Sequence, residues 1–71
     1  MTPTQEETLR RLERRIVTTY AVVQFAYFCK LRSMGDPAIE PLGYLREIGF
    51  DIEERNGRFQ LYEPARARGE L

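Results

Sequence analysis

Phe50-Asp51-Ile52-Glu53-Glu54-Arg55-Asn56-Gly57-Arg58-Phe59-Gln60-Leu61-Tyr62-Glu63 is the stretch that decides the fold. Polar and apolar residues alternate on both sides of Asn56-Gly57. That dipeptide supplies the two positive-φ positions of a two-residue hairpin turn, so the segment predicts a β-hairpin. A two-residue loop pairs Arg55 with Arg58, Glu53 with Gln60, Ile52 with Leu61 and Asp51 with Tyr62. Phe50, Ile52, Phe59 and Leu61 then share one face, and that face needs helices to cover it. Pro64 ends the second strand.

Upstream, Ser33-Met34-Gly35-Asp36-Pro37 is a break, with Gly35 suited to follow one helix and Asp36-Pro37 suited to open the next. The following helix carries Ile39, Leu42, Leu45 and Ile48 inward, starts near Glu40 because Pro41 and Gly43 weaken its first turns, and ends at Gly49. Residues 20–31 are apolar nearly all round, which predicts a central helix buried on most faces. The β-branched run Ile16-Val17-Thr18-Thr19 predicts a short strand or extended connection before it, with Thr18 or Thr19 as its cap. A first helix opens on the capping-box spacing of Thr4 and Glu7 and carries Leu9, Leu12 and Ile16 on one stripe. The expected core is Phe25, Phe28, Leu45, Ile48, Ile52 and Leu61.

The chain has 71 residues, which is one domain: residues 1–64, followed by a flexible basic tail at 65–71. Hydrophobic residues make up 42% and charged residues 31%, a folding composition. There is no His and one Cys, which excludes a His-based catalytic site, a Cys/His zinc site and an internal disulfide. Cys29 is expected to be a small buried hydrophobe, since no His can serve as its base. Adjacent Glu53 and Glu54 point to opposite faces of a strand and cannot share an acid–base site. The expectation is a non-enzymatic protein with no cofactor, metal or small-molecule substrate. The polar, acidic first residues and the lack of a long apolar run predict a cytoplasmic protein with no membrane partner.

Helix, short strand, helix, helix and hairpin in that order, an α+β layout, resemble a winged helix-turn-helix domain. Thr18-Thr19, Leu45-Arg46-Glu47-Ile48-Gly49-Phe50-Asp51-Ile52 and Asn56-Gly57-Arg58-Phe59-Gln60-Leu61 carry the likeness. The Leu-Arg-x-x-Gly-x-x-Ile run followed by Gly-x-x-x-Leu is similar to small phage-encoded DNA-binding proteins and to the amino-terminal domain of biotin-type repressors. The resemblance implies transcription regulation, with the third helix in the major groove and the hairpin as a wing near phosphates.

Charge departs from that pattern. Eleven basic and eleven acidic residues cancel, but residues 35–54 hold six acidic side chains against Arg46 alone, a net −5. Phosphate contacts require local positive potential, so this helix is poorly suited to DNA. The expected partner is therefore a protein of the transcription machinery, host RNA polymerase among the candidates, bound through Glu40, Glu47, Glu53, Arg55 and Arg58. A viral inhibitor of another host machine is a variant of that reading. The alternative is a repressor or excisionase on double-stranded DNA, using Arg11, Arg14, Arg15, Arg46, Arg55 and Arg58.

Overall fold

The computed structural model describes residues 2–69. The elements are α1 (Pro3–Ser33), α2 (Ile39–Glu47), β1 (Asp51–Arg55), β2 (Arg58–Tyr62) and α3 (Pro64–Ala67). The architecture is α+β, with a two-stranded antiparallel sheet and three helices, the last a single turn after the hairpin.

The hairpin forms in the expected register, Arg55 facing Arg58 and Ile52 facing Leu61. Asn56 (φ 54°) and Gly57 (φ 77°) supply the two left-handed residues. α2 ends on Gly49 (φ 87°), whose N–H donates to the Arg46 carbonyl at 3.1 Å. The next N–H, of Phe50, donates to the Leu45 carbonyl at 2.9 Å. This Schellman pair brings Phe50 onto Leu45, and both are buried. The same pattern of bonds, from Gly35 to Arg32 and from Asp36 to Leu31, ends α1.

The first two helices of the expected layout are one. α1 runs unbroken through Ile16-Val17-Thr18-Thr19 for 31 residues, about 46 Å. β-branched residues cost a helix only tenths of a kcal/mol each, and a four-residue run of them does not outweigh the good helix formers on either side. The helix also starts earlier than Thr4. Thr2 is its cap: the Gln5 N–H donates to Thr2 Oγ1 at 3.2 Å and the Thr2 N–H to Gln5 Oε1 at 2.9 Å. Pro3, at the first helical position, fixes that start.

α2 begins at Ile39, one residue from the expected start near Glu40, and Asp36-Pro37 does not open it. Asp36 Oδ1 instead accepts from the Ala38 N–H at 2.8 Å, holding the buried Ala38 at φ 57° ahead of the helix. Ile39, expected inward, is 74% exposed, because the helix rotates Pro41 and Leu45 into the core.

The core is small. Ala21, Leu45 and Phe50 form its centre, with Val17, Ile48, Ile52 and Leu61 packed against it. Phe28 is buried and meets the Phe59 ring edge-on at 5.0 Å. Phe25 is only half-buried and lies outside that cluster, a correction to the expected core. Residues 20–31 are likewise not enclosed: Tyr20, Val22, Val23 and Tyr27 are exposed, and Cys29 is half-buried. Among the described residues α2 and the hairpin pack on one side of this helix and leave the other open. The radius of gyration, 14.6 Å, exceeds the roughly 11 Å of a compact chain of this length. α3, at the start of the expected tail, is a helical turn in which Pro64 and Ala65 are half-buried; residues 70–71 of that tail lie outside the described residues.

Candidate functional site

The exposed side of α2 is acidic and aromatic. Glu40, Tyr44 and Glu47 follow one another at helical spacings of four and three, so they share a face. All three are exposed. Tyr44 Oη donates to Glu40 Oε1 at 3.0 Å. That bond, with the charge of Glu40 behind it, raises the phenol pKa above its ordinary value and keeps the proton on the ring oxygen. Arg46, the one basic residue of this helix, is turned to the hairpin, where its Nε lies 3.3 Å from Asp51 Oδ1. The face therefore offers carboxylates and a phenol, with its single cation paired elsewhere.

The hairpin tip holds Arg55 and Arg58 opposite each other. Arg55 Nη2 donates to Glu53 Oε1 at 2.8 Å, two residues back on the same side of β1. This relieves the repulsion between the two arginines and occupies two of the five expected protein-binding residues with each other. Arg58 has no ion pair among the described residues. A shallow groove at the tip is lined by Arg55, Asn56, Arg58, Phe59 and Gln60.

The six arginines of the nucleic-acid alternative do not converge. Arg14 is structural: its guanidinium forks onto both carboxylate oxygens of Glu63, Nη1 to Oε2 at 2.9 Å and Nη2 to Oε1, and lies 5.9 Å from the Phe50 ring. Arg46 and Arg55 are paired with Asp51 and Glu53. Arg11 and Arg15 are exposed near the first half of α1. The hairpin tip lies at the other end, since Phe59 sits beside Phe28 and Arg32. Roughly 25 Å of helix separates Arg15 from Arg32.

Residue-type reasoning missed Tyr44 and the exposed Ile39, both visible on α2 only once its rotation is known. It also missed that the apolar stripe of the first helix continues past Thr19 as an exposed strip to Tyr27. Among the described residues no three Cys, Asp or Glu side chains converge to hold a metal ion, and no helix is long and apolar enough to cross a membrane. Comparisons with protein families, with curated proteins and with solved structures find no match for this chain.

Proposed function

We propose that this chain is a small non-enzymatic regulator that binds another protein, seating a basic surface of that partner on the acidic face of α2. One observation carries the reading. The helix that precedes the hairpin, which a winged-helix regulator would lay on DNA, presents Glu40, Tyr44 and Glu47, while its Arg46 is held by Asp51. Like charge beside phosphate repels, whereas opposite charge on a protein surface speeds encounter and fixes orientation. The part of the winged-helix resemblance that rests on residues 45–52 and 56–61, though not its helix break at Thr18-Thr19, which lies inside the unbroken α1, suggests a component of the transcription machinery, host RNA polymerase included, as the partner class. Glu53 contributes less than its position suggests, because its carboxylate already accepts from Arg55.

The test is capture from a nuclease-treated host lysate by wild type and by the double variant Glu40→Lys, Glu47→Lys. Both residues are exposed, so the variant is expected to fold. A protein retained by wild type and lost by the variant supports the proposal. A sequence-specific DNA complex tightened by the same reversal sinks it.

A further inference from the structure

Leu9, Leu12, Ile16, Tyr20, Val23 and Tyr27 recur along α1 at spacings of three and four and are 41–69% exposed. At about 100° per residue they lie roughly 120° round the helix from the buried Ala21 and Phe28. They are thus a second apolar stripe, distinct from the one that α2 and the hairpin cover. In a seven-residue frame Leu9, Ile16 and Val23 occupy one repeating position, and Leu12, Thr19 and Ala26 the other, as in a helix-pairing seam. Charged Glu13 and Arg15 flank the stripe without interrupting it. Every residue from 2 to 13 is exposed, so the first third of α1 is not buried by the described part of its own chain.

We propose that α1 pairs with α1 of a second copy of this chain, antiparallel, along this stripe. Area, layer packing, charge and core size select that occupant. The six side chains expose on the order of 600 Å², close to the roughly 800 Å² per partner of a standard interface and at the upper limit for a monomer. An antiparallel register centred between Val17 and Thr18 sets Leu9 against Ala26 of the other copy, Leu12 against Val23 and Ile16 against Thr19. A larger side chain meets a smaller one in each layer, the condition for interdigitated packing. A parallel alignment would stack Leu9 on Leu9 and leave the Thr19 and Ala26 layers underfilled. Charge agrees: the acidic first turn of α1, with Glu6, falls beside the last turn of the other copy, where Lys30 lies on the stripe side while Arg32 is turned to Phe59. In a parallel pair each end would meet its like. A fourth reason lies in the core, which is thin for 71 residues and gains a second apolar interface by association.

The test begins with the mass of the full chain in solution over a concentration series. The expected result is two chains for wild type and one chain for Ile16→Asp, whose site is exposed in the single chain, with the circular dichroism of a folded protein kept. Orientation is read by cross-linking in a Cys29→Ser background. Leu9→Cys protein mixed with Ala26→Cys protein is expected to give a disulfide-linked dimer of the two, and Leu9→Cys protein alone none. This second measurement stands even if Ile16→Asp does not fold. A single-chain mass for wild type throughout, or efficient cross-linking of Leu9→Cys to itself, overturns the proposal.

Discussion

Arg14 and Glu63, 49 residues apart in the chain, form a two-pronged ion pair that fastens the end of β2 to the middle of α1. The fork satisfies both carboxylate oxygens, and the same guanidinium lies over Phe50, one of the core residues. The pair closes the hairpin onto the helix at the end away from the Asn56-Gly57 turn. An arginine that residue type alone nominates for nucleic acid is thereby spent on the fold. Charge-assisted bidentate pairs have the geometry for that role.

The pair gives stability an acid limb. The Arg14 bond, helped by the charges of Arg14 and Arg66, holds the Glu63 carboxyl below its ordinary 4.5 against the opposing effect of burial. A depressed folded-state pKa means that the contribution is complete above the ordinary carboxylate range and is lost as pH falls through the folded value. Arg14→Ala is expected to cost about 1 kcal/mol at neutral pH, since the arginine is partly solvated. The difference from wild type should shrink in urea titrations carried below pH 4.5. An unchanged gap at acid pH would show that Arg14 acts through its packing on Phe50 instead.

Stability should depend steeply on which apolar residue is cut. Phe28→Ala and Leu45→Ala each remove a buried side chain and should cost about 2–5 kcal/mol, much of the stability of so small a domain. Ile39→Ala, at a position 74% exposed, should change the single chain by less than about 0.5 kcal/mol. Urea midpoints for Leu45→Ala and Ile39→Ala check the inward face of α2 directly, with Phe28→Ala as the reference on α1. Equal losses at Ile39 and Leu45 would mean that the helix is rotated from the orientation described.

Legibility followed the range of the interactions. The hairpin and its register could be read because Asn56-Gly57 carries its own backbone geometry and sets the pairing of its immediate neighbours. The stops at Gly35 and Gly49 are equally local. The continuity of α1 could not be read from the local preference of Thr18 and Thr19, because cooperative helix on both sides overrides a few β-branched residues. Nor could the outward turn of Ile39, which depends on Pro41 and Leu45 winning the contact with α1. At the candidate site, Glu40 and Glu47 were legible as charges, but the capture of Arg14 by Glu63 and of Arg55 by Glu53 required the chain to be folded.

The unbroken α1 separates from a two-helix arrangement by one substitution. If Thr18 capped a second helix, Thr19 would be its first residue, where proline is welcome. Inside a continuous helix, Thr19→Pro removes a hydrogen bond and clashes with the preceding turn, at about 3 kcal/mol or more. The expected outcome is a large loss of stability, read by thermal unfolding followed at the helical circular-dichroism band. A variant as stable as wild type would restore the break.

The hairpin tip distinguishes its two arginines. Residues two apart on a strand share a face, and Glu53 uses that proximity to bond Arg55 at 2.8 Å. Arg58, directly across from Arg55, has no ion pair among the described residues and lies in the tip groove with Asn56 and Gln60. An anionic group on a partner would find Arg58 unoccupied, while engaging Arg55 would require the Glu53 bond to be broken first. Arg58→Ala is therefore expected to weaken partner binding about fivefold, or roughly 1 kcal/mol, and Arg55→Ala by less. Glu53→Gln should offset part of the Arg58→Ala loss, because it frees Arg55 to take over the contact. Binding constants for the two single variants and for the Arg58→Ala, Glu53→Gln pair complete the comparison. Equal and negligible effects at Arg55 and Arg58 would take the hairpin tip out of the interface.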